Sequence, residues 1–144
     1  MREPIDFELR RRAVSIGEGT YLYVGSSKKP CTVFTRVLRH ASKHKKKHWH
    51  IDYVTASTST AVKGALLVAS SYGDCEVELA RLLADRLPYI PAFGSTDKKQ
   101  SPSHFFKCTS SYKECLAFLL ELLESSGCVE NATYLELGSS IDEA

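Results

Sequence analysis

The sequence predicts an α+β domain in which a small, mostly antiparallel sheet is flanked by helices. Short segments rich in β-branched and aromatic residues predict strands, and longer segments with a period of 3.6 predict helices. The two kinds of segment are mixed along the chain. Glycine turns also join some strands directly, which favours antiparallel pairing. A chain of 144 residues has the length of one domain, so residues 1–144 are expected to form a single unit.

The first third of the chain predicts a hairpin and a helix. The strand FELRRRAVSI (7–16) is expected to turn through GEG and to pair with TYLYVG (20–25). Within TYLYVG, Tyr21 and Tyr23 share one face of the strand. A helix is expected from Thr32, because the apolar residues that follow fall on one side of it. Those residues are Val33, Phe34, Val37, Leu38 and Ala41.

Three further strands are expected from alternation and apolar content. They are WHIDYVTAS (49–57), AVKGALLVAS (61–70) and HFFKC (104–108), of which AVKGALLVAS is expected to be buried. Residues 91–103 are rich in Gly, Pro and Ser and are predicted to form a loop.

Capping residues predict two more helices. Asp74 is expected to cap a helix that runs to about Leu87 and ends before a proline. Ser111 and Glu114 form a capping box for a helix to about Ser126. The segment ATYLELGSSIDEA (132–144) is either a short strand or a frayed tail, so residues from about 110 to 144 form an acidic C-terminal helix and tail.

The composition favours a cytoplasmic protein that makes no contact with a membrane. Hydrophobic content of 43% and charged content of 25% are ordinary for a globular protein. No apolar run approaches the roughly 20 residues that a membrane span needs, and the N-terminus lacks the apolar core of a signal peptide. The five cysteines include no CxxC pair, so neither a disulfide framework nor a zinc ribbon is expected.

The net charge of +2 hides an uneven distribution of charge along the chain. Residues 1–50 contain twelve Lys or Arg and four acids, whereas residues 113–144 contain one Lys and seven acids. A basic N-terminal part favours an anionic partner.

Arg36 and His40 are one turn apart on the first predicted helix. They fall at the margin of its apolar stripe, whereas Arg39 and Lys43 are expected to point further out. Side chains at such a margin can reach a cleft while staying in contact with water. The alternative is that they are only the solvated flank of an amphipathic helix.

Glu76 falls close to the centre of the apolar stripe of the helix after Asp74, while Glu78 points outward. An inward carboxylate is costly unless an arginine or a divalent cation pairs with it. The alternative is an ordinary acid in the first turn, where the helix dipole favours it.

The stretch KHKKKHWHID (43–52) combines a charge run with a predicted strand. Its lysines would attract phosphates with little sequence preference. In the strand, His48, His50 and Asp52 share one face, opposite Trp49, Ile51 and Tyr53. A zinc site built from His40, His44, His48 and His50 with Cys31 or Cys75 is an alternative, although no second pair of closely spaced ligands exists.

Five motifs in this order resemble the GIY-YIG-related proteins of archaea and some bacteria: GTYLYVGSS, RVLRH, HWHID, EVELA and PAFGSTDKKQSPSHFF. The resemblance covers residues from about 6 to 106. That group has no assigned function and is sometimes fused to endonuclease III-type repair enzymes. The GIY-YIG superfamily itself consists of metal-dependent nucleases with a small antiparallel sheet flanked by helices.

The resemblance implies a catalytic set on this chain. Tyr23 matches the YVG tyrosine, Arg36 the arginine of the first helix, His40 the residue one turn later and Glu76 the metal ligand. Glu76 would hold Mg²⁺ or Mn²⁺, Arg36 would stabilise the anionic transition state, and Tyr23 with His40 would activate water. The strand before YVG reads AVSI, where the superfamily carries another functional tyrosine.

The resemblance therefore implies a metal-dependent endonuclease-like protein of DNA repair or processing. Its expected nucleic-acid contacts are Arg39, Lys43, Lys45, Lys46, Lys47, His48, His50 and His104. DNA is expected rather than RNA, and a repair protein is an expected partner. One alternative is a catalytically inactive nucleic-acid-binding module, and another is a zinc-stabilised interaction domain.

Overall fold

The computed structural model describes residues 1–9, 12–26, 32–47, 50–70, 74–94 and 101–137. Its strands are β1 (Ile5–Leu9), β2 (Arg12–Ile16), β3 (Tyr21–Tyr23), β4 (Gly64–Ser70), β5 (Phe105–Lys107) and β6 (Val129–Glu136). Its helices are α1 (Thr32–Ala41), α2 (His50–Thr55), α3 (Cys75–Ala84) and α4 (Tyr112–Ser125). The strands form three two-stranded sheets, β1–β2, β3–β5 and β4–β6. Helices mixed with small antiparallel sheets confirm the α+β prediction.

The chain divides into two compact units. The first contains Met1–Gly19, Ser27–Ala65 and Tyr134–Ala144, and the second contains Thr20–Ser26 and Leu66–Thr133. The hairpin β1–β2 and helices α1 and α2 therefore belong to the first unit. Strands β3 and β5 and helices α3 and α4 belong to the second.

The hairpin of the first unit joins β1 to β2 in antiparallel pairing, with Ile5 opposite Ile16 and Phe7 opposite Val14. Val14 and Ile16 are buried and alternate with exposed residues, which gives β2 one core face. The expectation that residues 7–16 form a single strand paired with TYLYVG is wrong. Two short strands close together in the chain can pair at a small loop-closure cost, which favours the observed hairpin.

Strand β3, from TYLYVG, pairs instead with β5 in the second unit. Tyr21 lies opposite Lys107 and Tyr23 opposite Phe105 in antiparallel register. Phe105 and Phe106 are both almost fully buried, so the predicted strand HFFKC is confirmed as a core strand.

Helix α1 begins at Thr32, as predicted. Its apolar stripe is only partly covered, because Leu38 is 49% exposed. The side chains of residues 32–34 lie outside the described part of the chain.

Helix α2 replaces the strand that was expected for WHIDYVTAS. Its buried residues are Ile51, Asp52, Val54 and Thr55, a helical spacing rather than an alternating one. The Thr55 hydroxyl donates to the Ile51 carbonyl one turn earlier, which a strand could not allow. The expected shared face of His50 and Asp52 is therefore wrong, and the expected positions of His48 and Trp49 lie outside the described residues.

Both helices of the second unit begin at the predicted caps. The Asp74 carboxylate accepts a hydrogen bond from the Val77 amide at the start of α3. The Ser111 hydroxyl accepts from the Glu114 amide and donates to its carboxylate at the start of α4. Helix α3 ends at Ala84, three residues before the predicted end at Leu87.

The core of the second unit lies between α3, α4 and β5. Its buried members are Cys75, Leu79, Ala80, Leu83, Phe106, Leu122, Leu123 and Cys128. The α3 members recur at spacings of three and four, so α3 presents one apolar face to this core. In α4, the partly buried Phe118 and Leu119 lie three to five residues before the buried pair Leu122 and Leu123 and pack against the same core.

Two disulfides lie in the second unit, and they contradict the expectation that the cysteines form none. Cys75 is joined to Cys128, and Cys108 to Cys115. Neither pair is visible as a motif, because one spans 53 positions of the chain and the other 7. Spacing alone cannot reveal partners that the fold brings together.

Strand β4 is half-buried rather than fully buried as expected. Its partner β6 is a strand of eight residues, longer than the short strand that was one of the two expectations for the C-terminal segment. None of the helices within the described ranges has the length and apolar character to cross a membrane.

Candidate functional site

Glu76 stands in the first turn of α3, just after the Asp74 cap. Its side chain is only 10% exposed, so the carboxylate faces inward, as its place on the apolar stripe predicts. The Ser26 hydroxyl donates to Oε1 at 2.5 Å, and the Nδ1 atom of His104 lies 2.7 Å from Oε2. The carboxylate is therefore held from two sides by residues distant in the chain.

His104 is fully buried directly before β5. Its backbone amide donates to the Phe93 carbonyl at 2.8 Å, and its carbonyl accepts from the Val24 amide at 2.9 Å. The ring is close to Glu76, but the carboxylate lies off the N–H direction of Nδ1. Neither ring nitrogen makes an aligned hydrogen bond within the described residues.

Tyr23 lies next to the same group at the end of β3. A Cβ atom at Gly94 would stand 3.4 Å from the Tyr23 ring and 3.4 Å from Cβ of His104, so the two side chains flank this glycine. Gly94 also has a φ of 71°, a conformation that side-chain-bearing residues rarely adopt. In the second unit, Tyr23 and His104 therefore lie beside Gly94, and His104 in turn contacts Glu76.

Tyr21 shares β3 with Tyr23 but has a structural role. Its ring stacks on Phe105 with centroids 4.9 Å apart, and the Lys107 ammonium lies 5.9 Å from its centroid. Burial raises the pKa of Tyr21 above its ordinary value, so this tyrosine stays neutral at neutral pH.

Arg36 and His40 lie in the first unit, on α1, and both side chains are half-buried. Burial, reinforced by the Lys45 ammonium, lowers the pKa of His40 from 6.5 to about 4. At neutral pH the imidazole of His40 is therefore uncharged, and it is a weaker base than an ordinary imidazole.

Arg39 does not point into solvent as expected. Its Nη1 and Nη2 atoms donate to Oδ1 and Oδ2 of Asp52 at 2.7 and 2.9 Å, and Nη2 also donates to the Lys46 carbonyl. The hydrogen bond to Asp52 raises the pKa of Arg39 further above its ordinary value. The pair fixes α1 to α2.

Lys43 and Lys45 are likewise engaged within the first unit. The Lys43 ammonium donates to three backbone carbonyls, those of Thr55, Ser57 and Thr60. The Lys45 ammonium donates to the Arg39 and His40 carbonyls and to the Thr55 hydroxyl. Lys45 thereby caps the C-terminal end of α1, where carbonyls need donors. Burial lowers the pKa of Lys45 to about 8 and also lowers that of Lys43.

Lys46 and Lys47 are exposed, as a phosphate-binding role requires. The Lys47 ammonium lies 5.3 Å from the centroid of the Tyr53 ring, which is stacked on Phe7. His50 begins α2 and is half-buried, while His48 lies outside the described residues. Nucleic-acid contact by these residues, and by the fully buried His104, stays a prediction.

The zinc alternative loses Cys75, since a disulfide sulfur is not a thiolate ligand. Within the described part of the chain, no group of three or more His, Cys, Asp or Glu side chains could hold a metal ion. The predicted ligands Cys31 and His48 lie outside that part.

Sequence reasoning missed two partners. Ser26 belongs to the quoted motif GTYLYVGSS, but a serine after a glycine carries no specific signal. Asp52 was noted for its place in His-x-His-x-Asp, yet only the helical phase of α2 shows that it faces Arg39.

No curated protein and no solved structure matches the chain. Residues 2–125 match the family described as "Domain of unknown function DUF123". The match covers both strands of the first hairpin, the four helices of the described residues, and Tyr23, Glu76 and His104. The chain is therefore a member of this family.

Proposed function

We propose that the protein is a metal-dependent phosphodiesterase of the GIY-YIG type that cleaves nucleic acid. The observation that carries this proposal is the carboxylate of Glu76, which faces inward beside Ser26 and His104. A buried carboxylate does not stabilise a hydrophobic core, and charged side chains are rarely buried without a functional or structural partner. The motifs shared with GIY-YIG-related proteins include this glutamate.

The residues around Glu76 are compatible with a divalent cation. Carboxylate and hydroxyl oxygens are hard ligands of the kind that Mg²⁺ and Mn²⁺ prefer, and Glu76 and Ser26 offer both. Mg²⁺ commonly keeps several waters and takes only one or two protein carboxylates. A bound cation would neutralise charge on the scissile phosphate and on its leaving oxygen.

The roles of the other catalytic residues follow the resemblance. Arg36 would donate hydrogen bonds to the anionic transition state. His40 has a pKa of about 4, so its ring is neutral at pH 7 and would accept a hydrogen bond from the attacking water, although this pKa makes it a weaker base than an ordinary imidazole. Tyr23 would orient the attacking water, and it could take up a proton from that water only in its phenolate form.

Nucleic acid would be bound by the exposed lysines Lys46 and Lys47, with DNA as the expected substrate. A repair-protein partner and a cytoplasmic location belong to the same proposal. The two disulfides argue against a reducing compartment such as the cytoplasm. Whether these cysteines are oxidised in the cell therefore tests the proposed location.

A catalytically inactive nucleic-acid-binding module is the second candidate. One observation favours it: both oxygens of the Glu76 carboxylate already have protein partners. These contacts with Ser26 and His104 could hold the carboxylate without any cation. The basic residues of the first unit would then act alone.

Cleavage of labelled branched, single-stranded and duplex DNAs and RNAs tests the proposal. Each substrate is incubated with Mg²⁺, with Mn²⁺ and with a chelator. Glu76→Gln removes the charge of the candidate ligand and keeps its shape. Glu78→Gln is the matched control, since Glu78 is exposed on the same helix.

Cutting that needs metal, disappears in Glu76→Gln and survives in Glu78→Gln would support the nuclease. The identity of the cleaved substrate would also decide between DNA and RNA. Binding without cutting of any substrate would reject the nuclease in favour of the inactive module. Equal cutting by both variants would show that Glu76 is not the metal ligand.

A further inference from the structure

The buried ring of His104 lacks aligned hydrogen bonds at both of its nitrogen atoms. The side chain has no exposed surface, and neither Nδ1 nor Nε2 makes an aligned hydrogen bond within the described residues. Buried polar side-chain atoms in folded proteins almost always have a hydrogen-bond partner, and leaving one without costs about 1–3 kcal/mol. A buried imidazole in this condition calls for an explanation.

Nδ1 of His104 nevertheless points to a defined neighbour. It lies 2.7 Å from Oε2 of Glu76, a contact of the right length but the wrong direction for a hydrogen bond. Two adjacent ligands of an octahedral ion, each about 2.1 Å from it, lie about 3 Å apart. The observed separation is therefore close to that of two atoms that share one cation.

The backbone holds His104 firmly in this place. Its amide and carbonyl groups bond to Phe93 and Val24, one on each side. Gly94 lies beside it, because a Cβ atom at Gly94 would stand 3.4 Å from the Cβ atom of His104. A histidine fixed in this way is suited to act as a ligand, because ligands must be held in place before the ion arrives.

We propose that His104 is a second protein ligand, through Nδ1, of the divalent cation assigned above to Glu76. This inference rests on the proposed function, since it needs a cation at Glu76. An imidazole nitrogen is a softer ligand than oxygen, and it favours transition-metal ions over Mg²⁺. The mixed nitrogen and oxygen set therefore selects Mn²⁺ over Mg²⁺.

Electron spin-echo spectroscopy of bound Mn²⁺ tests the inference without reference to cleavage. A nitrogen bonded to Mn²⁺ gives ¹⁴N modulation of the echo, whereas oxygen ligands give none. The wild-type protein is expected to give this modulation. Titration with Mn²⁺ and with Mg²⁺ then gives the ratio of the two affinities.

Three variants assign the nitrogen. His104→Leu should abolish the ¹⁴N modulation and lower the affinity for Mn²⁺ by about tenfold or more, with a smaller loss for Mg²⁺. His104→Asn keeps an N–H near the Nδ1 position without a coordinating nitrogen, so it should lose the modulation as well. His44→Leu is the control, because His44 is an exposed histidine of the first unit.

Two outcomes would overturn the inference. One is Mn²⁺ that binds through Glu76, as shown by loss of binding in Glu76→Gln, but gives no ¹⁴N modulation. His104 would then only position the carboxylate, and His104→Asn would keep the wild-type ratio of affinities. The other is wild-type protein that binds no Mn²⁺ at millimolar concentration.

The wild-type spectrum decides the matter even if His104→Leu fails to fold. Cleavage is measured separately, so a protein that cuts with Mg²⁺ but shows no nitrogen ligand would refute this inference and leave the nuclease intact. A protein that shows the nitrogen ligand but cuts no substrate would support this inference and reject the nuclease.

Discussion

Arg39 holds both carboxylate oxygens of Asp52, and that carboxylate has no exposed surface. The guanidinium is 27% exposed, so the pair connects the surface of the first unit to its interior. A residue expected from the sequence to contact nucleic acid thus has a structural partner. The stability of an Arg39 variant should therefore be measured before any loss of nucleic-acid binding is attributed to a lost contact.

Replacing Arg39 with Met should destabilise the fold by about 3 kcal/mol, because it leaves a buried carboxylate without its partner. The free energy of unfolding in urea measures the loss. Lys46→Met, which removes an exposed positive charge nearby, should cost less than about 0.5 kcal/mol. Arg39→Met combined with Asp52→Asn should recover part of the stability. Equal effects of the two single Met variants would contradict this account.

Stability should fall as the pH drops from 6.5 towards 4, in part because of His40. Its pKa is about 4 in the folded protein and 6.5 ordinarily, so over this range the unfolded chain takes up a proton that the folded state does not. The stabilisation is complete above pH 6.5. Since the ring is only half-buried, solvent screening reduces the effect to about 1 kcal/mol.

Urea unfolding of wild type and His40→Gln at several pH values isolates this contribution. Between pH 7 and pH 4.5, the free energy of unfolding of the wild type should fall relative to that of His40→Gln. His44→Gln should leave the profile as it is. A wild-type profile that runs parallel to that of His40→Gln would count against the assigned pKa.

Lys46 and Lys47 should govern the salt dependence of nucleic-acid binding. Changing both to Ala should weaken binding to all sequences alike and reduce the slope of log K against log salt by about two. Fluorescence anisotropy at several salt concentrations measures the slope. Lys113→Ala, at an exposed position of α4 in the second unit, should leave it unchanged. An unaltered slope in the double variant would exclude these lysines from the interface.

Gly94→Ala should destabilise the second unit by about 1–3 kcal/mol. The φ of 71° is a conformation that residues with a side chain rarely adopt, so the cost comes from backbone strain, while the new Cβ would make only ordinary contacts with Tyr23 and His104. Gly17→Ala is the matched control, since a Cβ there meets nothing within 4 Å. Thermal unfolding compares the two. A larger loss in Gly17→Ala than in Gly94→Ala would refute this reasoning.

The two disulfides should contribute unequally to stability. By loop entropy, the bond between Cys75 and Cys128 is worth about 4 kcal/mol and that between Cys108 and Cys115 about 2 kcal/mol. Replacing each pair by Ala and unfolding in urea measures both. Thiol titration in denaturant without reductant gives one thiol of five if both bonds form. Five reactive thiols in protein purified under oxidising conditions would show that neither bond forms.

Elements with local signals were predicted well. The caps at Asp74 and Ser111 are confirmed because a capping side chain bonds to an amide only two or three residues away. The inward phase of Glu76 follows from helical spacing alone, and the structure agrees. These features depend on short stretches of sequence.

Features that depend on distant residues were missed. The partner of β3 was predicted to be the nearest strand, but the core pairs it with β5. Helix α2 was predicted as a strand, because its short sequence alternates and its helical phase becomes visible only through the burial of Asp52 against Arg39. The same limit explains why Ser26 and the two disulfides escaped notice.

The pairing of β3 with β5 determines when this part of the protein can fold during its synthesis. Strand β3 has no partner until Phe105, which pairs with Tyr23 and lies 82 residues later in the chain, has been synthesised. Contacts between residues so far apart slow folding, and they cannot form until the ribosome has released the second of them. The surroundings of Glu76 are therefore completed late in synthesis, after the hairpin of the first unit is already able to fold.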